Sequence, residues 1–144
     1  MPRMAIEIDT STAFGARAAR RLRDEGLAWL VTVSPAGQPL PSRVWFEWDF
    51  ASSVLLYSKP DTPKLTNIAA NPRVALHLDG DDIGGDLVIL HGTARVSDDP
   101  PADDVASYVE KYAARIARNG WTAADFAAMY SVPLRIDLTR LRGW

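Results

Sequence analysis

Apolar positions along this chain follow two rhythms, one recurring every third and fourth residue and one every second. Residues 10–25, TSTAFGARAARRLRDE, set small, apolar and basic side chains at helical spacing behind Thr10 and Ser11 as N-caps, with Gly26 as the stop. The rhythm then changes. The run 27–33 is short, apolar and β-branched, and Ser34-Pro35-Ala36-Gly37 after it reads as a hairpin turn. In 40–50, Val44, Phe46 and Trp48 share one face and Arg43, Trp45 and Glu47 the other, which predicts a second strand. Runs 54–58, 73–79 and 86–98 have strand composition, so five strands are expected before the first long helix. That helix is predicted over 102–118, where Val105, Tyr108, Val109, Tyr112 and Ile116 recur at helical spacing before Asn119-Gly120. A shorter helix over 122–130, capped by Thr122, leads into a last strand over 132–140 with Val132, Leu134, Ile136 and Leu138 inward. Six strands in succession, joined by short turns, predict a mostly antiparallel sheet curling into a barrel with flanking helices.

Composition narrows the function classes. A chain of 144 residues without repeats or linkers reads as one domain, residues 1–144. Its net charge of −2 lacks the positive excess on which nucleic-acid binding draws. There is no cysteine, hence no thiol nucleophile, thiolate metal site or disulfide. The segment MPRMAIEIDTST has no signal-peptide core and no run is long enough to span a bilayer, so a soluble, cytoplasmic protein is expected.

Lysine usage points to a site. Of 16 basic residues only Lys59, Lys64 and Lys111 are lysines, and two of them fall in 58-SKPDTPKLTNIAANPRVALHLD-79. There Thr62 is an N-cap, Pro63 suits the first helical position, and Asn71-Pro72 ends the segment, predicting a short helix over 63–70. Ser58, Lys59, Thr62 and Lys64 thus gather at a helix start, where free N–H groups, hydroxyls and ammonium groups suit a phosphate. Local chemistry leaves open the alternative of two solvated loop lysines. A lysine in a first turn opposes the helix dipole by about 0.3–1 kcal/mol, and an anion beside it reverses the sign.

The order S-P-A-G-Q-P, 42-SRVWFEWD-49, 54-VLLYS-58, 61-DTPKLTNIAANPRVAL-76 and 91-HGTAR-95 resembles the pyridoxamine-phosphate-oxidase-like, flavin-reductase-type split β-barrels. More narrowly it is similar to their small actinobacterial members that use the deazaflavin coenzyme F420. The resemblance implies a six-stranded antiparallel split β-barrel that forms a homodimer, with the cofactor in a groove between subunits. It implies that Thr62 and Lys64, with Ser58 and Lys59, hold the cofactor phosphate, and that Arg43, Val44, Trp45 and Tyr57 face the ring system. Many relatives carry an arginine where Thr62 stands here, so Lys59 or Arg43 is the implied substitute contact. The activity implied is hydride transfer between reduced F420 and a small, flat, electron-poor acceptor such as an enone or quinone. The same fold binding FMN as a flavin oxidoreductase, or carrying F420 or haem without catalysis, is the alternative. Vitamin B6 oxidation fits less well, because no histidine follows His91.

Other constellations have plainer readings. In 79-DGDDIGGD-86, Asp79, Asp81 and Gly84 fit a calcium loop, but Ile83 and Leu90 stand where oxygen ligands are required, so an acidic hairpin is expected. The resemblance puts this loop near the cofactor, with Gly84 and Gly85 allowing close backbone approach. His77 and His91 face outward by alternation and lack a third metal ligand. No G-x-S-x-G elbow is present. Arg17, Arg20, Arg21 and Arg23 read as a solvated helix face, or as an attraction for the anionic F420 tail. Among five tryptophans, Trp45 is the candidate for ring contact and Trp144 for a terminal cover over the groove.

Overall fold

A computed structural model describes residues 5–144, so the signal-peptide reading falls partly outside the described residues. The elements are α1 (Ala13–Asp24), β1 (Ala28–Val33), β2 (Pro39–Val44), β3 (Glu47–Trp48), β4 (Ser53–Ser58), α2 (Pro63–Ala70), β5 (Arg73–His77), β6 (Val88–Val96), a 3₁₀ turn (Ala102–Asp104), α3 (Ala106–Arg118), α4 (Ala123–Met129) and β7 (Val132–Gly143). All seven strands join one antiparallel sheet in the order β2-β1-β5-β6-β7-β4-β3.

Seven strands replace the expected six because the run 40–50 breaks in two. Its alternation holds throughout, with Val44, Phe46 and Trp48 all buried, but the backbone changes partner at Trp45-Phe46. Before the break β2 pairs with β1, and after it β3 pairs with β4 at the opposite end of the sheet. Laid flat, seven strands would hold those two edges about 29 Å apart. The chain from Val44 to Glu47 reaches at most about 11 Å. The sheet is therefore forced to curl, and it forms an open half-barrel whose two edges are joined by two residues.

Other boundaries shift for local reasons. The α1 N-cap is Thr12, whose side chain accepts from the Gly15 N–H, rather than Thr10 or Ser11. The predicted 102–118 helix opens as the 3₁₀ turn and becomes α-helical only at Ala106. Gly37 and Gly120, both at positive φ, make the expected turn and helix stop. Gly84 stands at positive φ, a conformation that by itself accounts for a glycine there. The basic face of α1 is only partly solvated. Arg21 donates to the Asp79 and Asp86 carbonyls and Arg17 pairs with Asp86, which ties α1 to the acidic loop.

Two apolar cores result. Inside the barrel lie Leu30, Phe46, Val54, Leu56, Leu76, Leu90, Leu134, Ile136 and Leu138, closed by Ala18 and Leu22 of α1 and Ile68 of α2. Outside it, Leu55 and Tyr57 pack under Tyr108, Tyr112 and Ile116 of α3 and Phe126 of α4. β4 is thus buried on both faces, which explains why 54–57 reads as unbroken apolar sequence. Among the described residues no helix is long and apolar enough to cross a membrane.

Candidate functional site

The face that α2 buries decides where Lys64 sits. Ile68 enters the barrel core and the buried Asn67 amide donates to Thr32 Oγ1 of β1 at 3.0 Å. Lys64 lies three and four residues before this pair and so shares their face of the helix. It is half-buried, and burial lowers its pKa from the ordinary lysine value. No hydrogen bond, ion pair or ring contact joins its ammonium to another described residue. Asp61, at φ 61°, turns the chain from β4 into α2, a conformation that aspartate tolerates.

Lys64 borders a cleft of about 360 Å³ whose walls include Arg43, Val44, Trp45 and Tyr57. Five of the eight residues singled out in the sequence therefore meet at one opening. The cleft exists because the chain breaks at Trp45. Phe46 turns into the barrel while the Trp45 indole stays outside, stacked on Tyr112 at 4.7 Å and Phe126 at 5.0 Å between centroids. α3 fixes the break, since the Phe46 N–H donates to Tyr112 Oη at 2.7 Å.

The remaining three singled-out residues do not line the cleft, and each is engaged within the chain. Ser58 Oγ donates to the Lys59 carbonyl at 2.8 Å, which leaves Thr62 as the donor in their 3.0 Å hydroxyl contact. Thr62 consequently has the backbone angles of an N-cap but makes no side-chain cap bond. Lys59 Nζ lies 5.4 Å from the Tyr130 ring centroid. Arg43 lines the cleft, yet its guanidinium pairs with Asp79 at 2.9 Å and lies over the Trp29 ring. Among the described residues lining the cleft, Lys64 is the cation left for a ligand.

Tyr57 lends a wall and not a proton. Burial, reinforced by Asp99, raises its pKa to about 12, and its hydroxyl donates to the Pro100 carbonyl at 2.6 Å. The rest of the lining was not anticipated from sequence: Trp121, Phe126 and Tyr130, with Leu27 and Asn119. Phe126 and Tyr130 stack at 4.7 Å, and their four-residue spacing behind the Thr122 cap was the signal available. No histidine lines this cleft. Among the described residues no group of three or more His, Asp or Glu side chains stands together as a metal site.

Comparison with known proteins agrees with this fold. The family model described as pyridoxamine 5'-phosphate oxidase matches residues 14–142. A conserved hypothetical protein from Mycobacterium tuberculosis superposes with a TM-score of 0.70 at 24% identity, over 100% of this chain and 89% of that one. A FAD-binding protein from Mesorhizobium loti gives 0.63 at 17% identity, over 90% and 91% of the two chains. An F420 reductase gives 0.61 at 24% identity, over 85% and 94%. At such identities these likenesses establish the fold. No curated protein matches the chain.

Proposed function

The chain belongs to the pyridoxamine 5'-phosphate oxidase family, and from that premise we propose that it is a homodimeric oxidoreductase. It binds F420 and transfers a hydride between the reduced deazaflavin and a small, flat, electron-poor acceptor. The observation that carries the reading is Lys64, a half-buried ammonium with no partner among the described residues, set on the rim of an aromatic cleft. Desolvating a cation without a partner is costly, and a phosphate supplies the missing charge. The residues present fit such a group. Lys64 and the uncapped start of α2 hold the phosphate, with the Ser58 and Thr62 hydroxyls beside them. Val44, Trp45 and Tyr57 give an apolar wall for the ring system and exclude water from it.

The bound deazaflavin supplies the hydride, so the chain needs no catalytic dyad of its own. With the Tyr57 proton committed to Pro100, the proton that completes reduction of the acceptor comes from solvent.

Dimerisation is supported by the outer face of the sheet. Trp29, Val31, Ala75, His77, Ile89 and His91 adjoin one another across β1, β5 and β6, and all are only partly buried. A second copy covering this face would bring its own residues to the Arg43 side of the cleft.

The likeness to a FAD-binding protein favours one other reading, the same site holding FMN. Titration of the purified chain with F420 and FMN separates the two. Tight F420 binding with hydride transfer to a quinone supports the proposal, and micromolar or tighter FMN binding without F420 affinity overturns it.

A further inference from the structure

The third lysine stands in a second cleft, of about 350 Å³, where α1, β3 and α3 meet. Its walls are Leu22, Arg23, Glu47, Trp48, Phe50, Ser107, Glu110 and Lys111, and it shares no lining residue with the cleft at Lys64. Lys111 Nζ donates to the Phe46 carbonyl at 2.7 Å and lies 4.0 Å from the centre of the Phe46 ring. Two carboxylates share the cleft, yet neither forms an ion pair with it, and Glu47 instead accepts from Ser107 Oγ at 2.9 Å. An ammonium donates to a carbonyl more strongly than a neutral amine does, but a neutral carbonyl holds the third proton less firmly than a carboxylate would. The Phe46 face favours the ammonium, but burial outweighs it and lowers the pKa of Lys111 to about 8. Glu47 on β3 and Asp24 on α1 draw it back up, and Arg115 on α3 pushes it further down.

The aromatic side of the cleft is built for a flat guest. Phe50 is held at φ 62° with its ring 66% exposed and 5.1 Å from the buried Trp48 ring. That backbone conformation leaves an aromatic residue open to solvent beside Trp48.

We propose that Lys111 is the reactive amine of a site that captures small uncharged aromatic aldehydes, the ring lying against Phe50 and Trp48. The Nζ lone pair adds to the carbonyl carbon, the oxygen takes up protons and leaves as water, and a C=N bond replaces C=O. Glu47 and Glu110 are at hand to relay those protons and disfavour anionic guests. No oxidant or reductant is required.

The full chain has only three lysines, so peptide mapping reads each one. Incubation with limiting benzaldehyde and cyanoborohydride converts any imine to a stable benzyl amine. Lys111 is expected to be labelled at least tenfold faster than the exposed Lys59, with a rate that rises as pH approaches 8. Propionaldehyde is expected to lose most of that preference, and so is the Phe50→Ala chain, whose exposed ring can be removed without opening a core. Lys111→Arg, which keeps a donor for the Phe46 carbonyl, is expected to abolish labelling at this position alone. Equal labelling of Lys59 and Lys111, or equal preference for the aliphatic aldehyde, overturns the proposal.

Discussion

On the proposed reading, Lys64 is the residue on which cofactor binding turns. Replacing it with alanine removes one charge-assisted contact, and cofactor binding is expected to weaken by about 1.5–3 kcal/mol in fluorescence titration. An unchanged dissociation constant would move the phosphate elsewhere. Lys64 could be located from sequence because Thr62-Pro63 marks a helix start and a lysine there opposes the dipole. That Trp121, Phe126 and Tyr130 line the same cleft as Trp45 could not be read there, since tertiary packing between distant parts of the chain brings them together. Lys111 makes a different claim, on stability. Its pKa falls from 10.5 to about 8 on folding, so between these values the unfolded chain binds more protons and stability rises with pH. After a discount for solvent screening, the gain from pH 8 to pH 9.5 is about 1 kcal/mol. Thermal unfolding should show it in the natural chain and not in Lys111→Met; equal pH dependence in both would contradict the assignment.

Among the elements, α3 and α4 are the supports of the cleft. Tyr112 Oη takes the Phe46 N–H and contacts the Phe46 and Gly26 carbonyls, so it holds the break between β2 and β3. Tyr112→Phe leaves a buried N–H without its acceptor and should cost about 1–3 kcal/mol in denaturant unfolding. It should also weaken cofactor binding, because the lost hydroxyl loosens the break at Phe46 that sets Trp45 beside the cleft. Thr122 and Asp125 form a reciprocal capping box at the start of α4. Thr122→Ala should cost about 1 kcal/mol, read in the same unfolding experiment. Both helices were legible in their spacing and caps. The break at Trp45-Phe46 was not, because the alternation of faces runs through it unchanged and only the pairing partners differ. Strand pairing is a long-range property, and local pattern carries no record of it.

For the whole molecule, the half-barrel follows from two strands that adjoin in sequence while sitting at opposite edges of one sheet. The sequence indicated a curled antiparallel sheet correctly through its run of short strands and turns, and the family match now accounts for residues 14–142 of it. The outer face of β1, β5 and β6 should hold two copies together. Sedimentation is expected to give twice the 15.8 kDa of one chain, and Val31→Glu to give monomers that lose cofactor affinity. A wild-type monomer that binds cofactor fully would place the site within one subunit. The central claim concerns what fills the cleft at Lys64, and its most direct measurement is a binding titration of the wild-type chain with F420, with FMN and haem in parallel. Saturable F420 binding that Lys64→Ala weakens, far tighter than binding of the other two, is the expected result. Tight FMN or haem binding with no measurable F420 binding would contradict it.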